Sequence, residues 1–138
     1  MIKTITLGKE ISVGVANEPG VLARLTSFLV NNSVNLEAIL GYRTELKERA
    51  GLMFITDNNQ AAIDAFLDEG FRDIAENDVL IVELDNKPGA LKNISELLAR
   101  HHLNINYIYA TACVKGCPVK IVLSTTDNKE AIRILTEY

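Results

Sequence analysis

The chain has 138 residues, enough for one ordinary domain or for two small ones. Hydrophobic residues make up 48% and charged residues 23%, the balance of a soluble globular protein rather than a disordered or membrane-spanning one. A net charge of −4 without a basic cluster argues against a nucleic-acid partner, because lysine and arginine supply most of the affinity for phosphates. No apolar run approaches the roughly 20 residues of a membrane span, and no signal peptide is evident, so a cytoplasmic protein is expected.

Strands and helices alternate in the first half of the chain. Short apolar runs predict strands over residues 2–7, 11–16, 36–43 and 52–56, with a turn at Gly8 and Lys9 between the first two. A Pro-Gly pair then breaks the pattern, and proline suits the first turn of a helix because its missing N–H has no partner there. The helix that follows has one apolar face, formed by Val21, Leu22, Leu25, Phe28 and Leu29. A second helix is predicted over residues 59–68, ended by Gly70.

The second half of the chain repeats the first half. Residues 17–39 read NEPGVLARLTSFLVNNSVNLEAI, and residues 86–108 read NKPGALKNISELLARHHLNINYI, aligned without a gap at an offset of 86 − 17 = 69 residues. The repeat predicts strands over residues 71–75, 80–84, 105–113 and 119–125, and helices after the second Pro-Gly pair and over residues 128–136. Two copies indicate paired domains rather than a solenoid.

The loop before the first helix of each copy carries the clearest functional signal. The first N–H groups of a helix have no backbone acceptors and attract an anionic group such as a carboxylate, and a glycine there leaves room for a ligand. Asn17 and Asn86 precede these turns, and Asn35 and Asn104 precede the next strand. An amide can donate to a carboxylate and accept from an ammonium, as a zwitterion requires. The same asparagines also suit turn and helix-cap positions, so a structural role stays open.

Other chemistry has little support in the sequence. It contains no phosphate-binding glycine loop, no HExxH and no pair of closely spaced carboxylates among apolar residues, so no catalytic residue, metal site or cofactor is expected. His101 and His102 are adjacent at a helix end, where such side chains are commonly stabilising. Cys113 and Cys117 flank a predicted hairpin and are expected to be reduced thiols, because disulfides are rare in a reducing cytoplasm.

The sequence PGVLARLTSFLVNNSVNLEAI, with its partner PGALKNISELLARHHLNINYI, resembles the ACT domain, the small-molecule-sensing module attached to many enzymes of amino-acid metabolism. The resemblance covers the chain as two tandem copies and includes no catalytic domain. It implies an α+β fold of two ferredoxin-like βαββαβ units, residues 1–69 and 70–138, with antiparallel sheets and helices on one face.

The last strand of the ferredoxin-like order stands at the front of each copy. The strand at residues 71–75 either closes the sheet of the first copy, so that residues 2–6 close the second, or each front strand forms a hairpin with the strand just after it. The exchanged form is favoured, because a strand directly after Gly70 is the ordinary ferredoxin-like connection.

The resemblance also implies ligand-binding residues in both copies. They are Asn17, Pro19, Gly20, Val21, Leu22, Asn35 and Leu36 in the first copy, and Asn86, Pro88, Gly89, Ala90, Leu91, Asn104 and Ile105 in the second. One implied pocket joins Asn17, Gly20 and Val21 to Asn104, and the other joins Asn86, Gly89 and Ala90 to Asn35. Serine-binding members have a histidine two residues before the first asparagine, where this chain has Val15 and Leu84. An apolar or aromatic amino acid therefore fits at least as well as serine.

These observations predict a regulatory protein without catalytic activity that binds a free amino acid between two ACT-like units. Both faces of some strands are apolar, so one sheet face is expected to be covered, by a second chain in a homodimer or by elements of the same chain. The alternative function is a non-catalytic subunit that docks onto a separate enzyme of amino-acid metabolism without binding a ligand. An acylphosphatase-like enzyme would need an arginine in the loop after the first strand, and neither NEPGV nor NKPGA has one.

Overall fold

A computed structural model describes residues 2–111 and 116–138. These residues form six strands and four helices, in the order β1 (Ile2–Ala16), α1 (Val21–Asn31), β2 (Leu36–Arg43), β3 (Arg49–Thr56), α2 (Asn59–Asp68), β4 (Ile74–Leu84), α3 (Ala90–Arg100), β5 (Ile105–Thr111), β6 (Val119–Thr125) and α4 (Asn128–Thr136). The predicted α+β, ferredoxin-like fold is confirmed. None of these helices is long and apolar enough to cross a membrane. The part of the 105–113 strand beyond Thr111 lies outside the described residues.

The predicted turn at Gly8 and Lys9 is wrong, and the hairpin alternative, which needs a second turn at Asn77 and Asp78, is not observed. β1 runs without a break through Gly8 and Lys9, and β4 runs without a break through Asn77 and Asp78. Gly8 is not among the glycines with a positive φ, so nothing bends the chain there. Glycine, asparagine and aspartate permit a turn but do not require one. All three can also adopt an extended backbone where neighbouring strands are available for pairing.

The chain divides into two compact units, each built from discontinuous or exchanged strands. Lys9–Asn77 forms one unit, called the first unit here, and Met1–Gly8 together with Asp78–Tyr138 forms the other, called the second unit. β1 therefore gives its beginning to the second unit and its end to the first. This division corresponds to the exchanged arrangement: the strand after α2 completes the first unit, and the beginning of β1 completes the second.

The first unit has the strand order β2-β3-β1-β4, the ferredoxin-like order. Antiparallel pairing places Val13 of β1 opposite Leu52 of β3, and α1 and α2 pack against the face that carries these residues. Its core consists of buried residues from the strands, both helices and the loop after α1, namely Ile11, Val13, Val15, Leu25, Leu29, Val34, Leu52, Phe54, Ala62 and Phe66. Val15, at the position of the family histidine, belongs to this core and faces away from solvent.

The second unit has the corresponding order β1-β4-β6-β5. Its buried core is Leu80, Val82, Leu84, Ala90, Ile94, Leu98, Ile121, Leu123, Ala131 and Leu135, and Ile2 and Ile5 of β1 pack against it. A hydrogen bond from Thr6 Oγ1 to the carbonyl oxygen of Ile81, 3.4 Å, fits the same pairing. Residues 2–8 thus occupy the position of the final ferredoxin-like strand.

The sequence repeat extends to a repeated hydrogen-bond network at the start of α2 and α4. Thr56 Oγ1 donates to Asn59 Oδ1 at 2.6 Å, and Thr125 Oγ1 donates to Asn128 Oδ1 at 2.9 Å. The Nδ2 groups of these asparagines donate to backbone carbonyls 69 residues apart, of Lys9 at 3.2 Å and of Asp78 at 3.0 Å (78 − 9 = 69). Each unit therefore ties its last helix to the strand that begins its βαβ segment by the same contacts.

Arg133 on α4 lowers the pKa of a neighbouring carboxyl group. Its hydrogen bond to Glu130 lowers the pKa of Glu130 below the ordinary value, desolvation opposes this, and the charges of Arg133 and His101 lower it further. Replacing Arg133 by glutamine is expected to raise the pKa of Glu130 toward its ordinary value, measured from the pH dependence of its carboxyl carbon NMR signal. The stabilisation from this pair is present above the unfolded-state pKa of glutamate and is lost as the pH falls through the folded-state pKa.

The neighbouring substitution Lys129→Gln is the control, because it also removes one positive charge from α4 but no hydrogen bond to Glu130. It should leave the pKa of Glu130 near its wild-type value. An unchanged pKa in the Arg133→Gln variant would show that the pair does not persist in solution.

Candidate functional site

The entry to the first helix of each unit has the same unusual backbone. Gly20 precedes α1 with φ 90° and Gly89 precedes α3 with φ 91°, both in the left-handed region that glycine adopts without penalty. No described atom lies within 4 Å of a Cβ built at either glycine. The glycines are therefore required by backbone conformation, and the space beside them is open to a ligand.

The N-termini of α1 and α3 lack the side-chain caps of the other two helices. Asn58 caps α2 by accepting from the N–H of Ala61 at 3.1 Å, and Asp127 caps α4 by accepting from the N–H of Glu130 at 3.1 Å. Among the described residues, no side chain caps α1 or α3, and neither helix has an acidic residue in its first turn. The partial positive charge of these two N-termini is therefore not offset by a capping side chain or by an acidic first-turn residue among the described residues.

Apolar side chains lie beside these helix starts. Leu22 is 44% exposed, although it belongs to the apolar face predicted for the first helix, and its repeat equivalent Leu91 is 45% exposed. In the second unit Ala90 is buried, and in the first unit Val21 is half-buried and packs against the core. An exposed leucine next to an uncapped N-terminus offers an apolar surface beside an anion-binding end.

The asparagines before the Pro-Gly pairs lie at the C-terminal ends of the strands that precede the helices. The N–H of Asn17 donates to the carbonyl of Glu48 at 2.7 Å, and its Nδ2 donates to the carbonyl of Lys47 at 3.0 Å. Its side-chain oxygen accepts no hydrogen bond from the described part of the chain. Asn86 lines an open cavity of about 230 Å³ together with Lys3, Asp85, Lys87 and Gly116–Pro118.

Asn35 and Asn104 are fixed by their backbones. The N–H of Asn35 donates to Asp57 Oδ1 at 2.8 Å, and that of Asn104 donates to Thr126 Oγ1 at 3.2 Å. Both asparagines are exposed, and each stands just before the strand that begins at Leu36 or Ile105. The Nδ2 of Asn104 donates to Asn106 Oδ1 at 3.5 Å, and both side chains reach the surface of their own units.

The left-handed residues after α1 and α3 are not these asparagines. Ser33 has φ 55° and His102 has φ 58°, two residues before Asn35 and Asn104. The turn conformation is thus supplied by other residues, which removes the main structural reason for an asparagine at positions 35 and 104.

A single unit does not bring its two kinds of asparagine together. Asn17 stands before the N-terminus of α1 and Asn35 stands after its C-terminus, and the 11 residues of α1 make a helix about 16 Å long. The same separation by α3 applies to Asn86 and Asn104. The pocket composition implied by the family resemblance stays a prediction.

The expectation of two reduced cysteines is wrong for Cys117, which is disulfide-bonded. Cys113 lies outside the described residues. The expectation rested on the redox state of a presumed compartment and not on a property of the chain.

Sequence reasoning missed a group of residues on the face of the first unit opposite the helices. Tyr42, Arg49 and Asp73 line a cleft there, over a floor that includes Gly14 and Gly51. The available signal was the difference between the two copies, because the repeat places Glu83 and Lys120 where the first unit has its two glycines.

Comparisons with known proteins agree with this architecture. A sequence model of the ACT domain matches residues 9–65, most of the first unit. A protein from Bacteroides thetaiotaomicron of known structure has a TM-score of 0.88 and 24% identity, over 96% of this chain and 89% of that one. Aspartate kinase regulatory subunits from Thermus thermophilus, in a ligand-free form, and from Thermus flavus have TM-scores of 0.68 and 0.66 and identities of 16% and 17%, each over 99% of this chain and 97% of theirs. The comparison with curated proteins gave no match.

Each of the two ferredoxin-like units has a first helix that is entered through a left-handed glycine and has no side-chain cap. The matched model assigns an ACT domain to residues 9–65, which confirms the resemblance for the first copy of the repeated Pro-Gly motif. ACT domains are regulatory and typically bind amino acids.

Proposed function

We propose that this protein is a non-catalytic regulator that binds a free amino acid at the N-termini of α1 and α3. The observation that carries the proposal is the contrast among its helices: α2 and α4 are capped by their own side chains, whereas α1 and α3 are entered through Gly20 and Gly89 and are uncapped. An α-carboxylate would accept from the first-turn N–H groups that lack a backbone acceptor, which excludes those of Val21 and Ala90 because they donate to the carbonyls of Glu18 and Lys87. Asparagine amides would accept from the ammonium group.

The proposed sites are completed by asparagines from different units. The family resemblance assigns Asn104 to the site at Gly20 and Asn35 to the site at Gly89. The length of α1 supports this assignment, because Asn17 and Asn35 of the same unit are separated by about 16 Å of helix. Pro19, Leu36, Pro88 and Ile105 would form the apolar surroundings.

The two sites are expected to differ in affinity. Glu18 stands in the first Pro-Gly loop where Lys87 stands in the second. Lys87 adds a positive charge beside a carboxylate-binding helix end, whereas Glu18 adds a negative one. The site at Gly89 should therefore bind the ligand more tightly than the site at Gly20.

Micromolar affinity is within reach of such a site. It requires about 8 kcal/mol, and an amino acid of roughly 7–12 heavy atoms can reach that value at the ceiling of about 1.5 kcal/mol per atom for very small ligands. Regulation would then pass to a partner, a second copy of the chain or an enzyme of amino-acid metabolism. The fold shared with aspartate kinase regulatory subunits supports a regulatory partner of this kind.

A thermal-shift screen against the twenty amino acids tests the proposal. A ligand at about 100 times its dissociation constant should raise the unfolding midpoint by about 5–10 °C. The shift should fall in the Asn17→Ala and Asn86→Ala variants and vanish when both are combined. Asn31→Ala, an exposed asparagine at the other end of α1, is the matched control and should keep the full shift.

Calorimetric stoichiometry tests the assignment of asparagines to sites. If Asn17 and Asn104 serve one site, then adding Asn104→Ala to Asn17→Ala should leave the remaining site intact, whereas adding Asn35→Ala should remove it. The reverse result would place each pair within its own unit. Absence of any shift at millimolar concentrations would instead favour the docking subunit that binds no ligand.

A further inference from the structure

The first unit carries two glycines at directly opposed positions in the middle of its sheet. Gly14 of β1 pairs with Gly51 of β3, on the face opposite the helices. Glycine weakens a strand and is retained where another group approaches the backbone closely. A Cβ at Gly14 would come within 3.0 Å of the Asp73 carboxylate, and a Cβ at Gly51 would come within 3.0 Å of the Tyr42 ring. The glycines therefore make room for these two side chains.

The second unit has none of these features at the equivalent positions. Glu83 of β4 pairs with Lys120 of β6 where the first unit has its glycine pair. The repeat also places Thr111, Pro118 and Thr4 at the positions of Tyr42, Arg49 and Asp73. Because the two units otherwise share fold, caps and hydrogen-bond networks, the glycine pair is not a requirement of the fold.

Three side chains of different chemistry meet above the glycine floor. The Tyr42 ring lies over Gly51, and Arg49 Nη2 is 3.5 Å from Asp73 Oδ2. They line a cleft of about 220 Å³ that also includes Ser12 and Thr44. The side chains of Arg49 and Asp73 are 44% and 77% exposed, so both charged groups can be reached from solvent.

We propose that this cleft binds a small zwitterion, such as a short α-amino acid, at a site separate from the helix N-termini. Its carboxylate would take a two-pronged hydrogen bond from the Arg49 guanidinium, its ammonium group would bind the Asp73 carboxylate, and its apolar part would lie on the Tyr42 ring. At about 30 Å³ per water-sized group, the cleft holds roughly seven such groups, the size of a small amino acid.

The charges select the class of ligand. Asp73 repels a dianion, and Arg49 repels a dication, so a molecule with one charge of each sign fits best. The existing ion pair is a weak competitor, because exposed pairs contribute little to stability. A ligand can therefore replace the contact between Arg49 and Asp73 with two charge-assisted hydrogen bonds of its own.

Amide NMR spectra of the full chain, titrated with each of the twenty amino acids at millimolar concentrations, test the proposal. We expect at least one amino acid to shift the Gly14 and Gly51 signals saturably. Arg49→Ala and Asp73→Ala should each weaken that response by about tenfold or more. Arg43→Ala, which removes another exposed arginine outside the cleft, should leave it unchanged.

Two further variants separate this site from the proposed function and from misfolding. Asn17→Ala should abolish shifts at Gly20 without changing those at Gly14 and Gly51. If Arg49→Ala disturbs the fold, Tyr42→Thr replaces it as the test variant. It introduces the residue that the second unit has, and it should also weaken the response of Gly14 and Gly51. The proposal is overturned if no amino acid shifts the Gly14 and Gly51 signals, or if the shifts persist in the cleft variants. It is also overturned if the shifts depend on the protein concentration and not on the amino-acid concentration, as binding of a second copy of the chain would.

Discussion

Replacing Phe66 by alanine is expected to lower the free energy of unfolding of the first unit by about 3–5 kcal/mol. Phe66 is 0% exposed, and its ring centroid lies 5.6 Å from that of Phe54 and 6.4 Å from that of Phe71. These three rings join α2 to β3 and to the segment before β4. Chemical denaturation followed by the NMR signals of the remaining phenylalanines measures the change directly, because all four phenylalanines of the chain lie in the first unit.

Leu67→Ala is the control on the same helix. Leu67 is 38% exposed, so its loss removes much less buried surface and should cost about 1 kcal/mol or less. Leu135, the repeat equivalent of Phe66, is 2% exposed and belongs to the core of the second unit. Leu135→Ala should therefore destabilise the second unit instead. Equal effects of Phe66→Ala and Leu67→Ala would show that the phenylalanine cluster does not form the core in solution.

The sequence predicted the fold well because its local signals are strong and most of them occur twice. The Pro-Gly pairs, the apolar helix faces and Gly70 all act within a few residues, and each predicted helix is present. The turn predicted at Gly8 was wrong. Glycine allows either a turn or an extended backbone, and the strands available for pairing decide between the two. That information is held in long-range contacts, such as Ile2 and Ile5 with the second core, which no local pattern contains.

One of the two candidate sites could be predicted from local sequence, and the other depends on long-range contacts. The helix N-termini could be predicted, because a Pro-Gly pair before an amphipathic run fixes the position of α1 and α3. The cleft could not, because Tyr42, Arg49 and Asp73 are brought together only by the register of three strands and the connection after α2. A comparison of the two copies position by position would have revealed only that Gly14 and Gly51 are unusual.

Deleting residues 2–8 is expected to unfold or strongly destabilise the second unit, which lies mostly at the other end of the chain. Ile2 and Ile5 pack against its core, and Lys3 Nζ lies 3.5 Å from Asp85 Oδ1. Two partly buried isoleucines contribute about 1 kcal/mol each, and ladder hydrogen bonds contribute about as much again apiece, so the loss should be at least about 3 kcal/mol. That is a large fraction of a typical domain stability of about 5–15 kcal/mol. The deletion also exposes an edge of β4 to intermolecular pairing.

The two units report separately on this deletion. The phenylalanine signals of the first unit should keep their dispersion, while those of Tyr107 and Tyr109 on β5 should collapse toward unfolded values. Ile2→Ser combined with Ile5→Ser retains the strand but removes its packing, and should give a smaller loss in the same unit. The opposite pattern, with phenylalanine signals lost and tyrosine signals kept, would mean that residues 2–8 close the first unit as a hairpin. Phe66→Ala should destabilise the first unit and the deletion should destabilise the second unit. Together, the two experiments therefore test to which unit residues 2–8 belong.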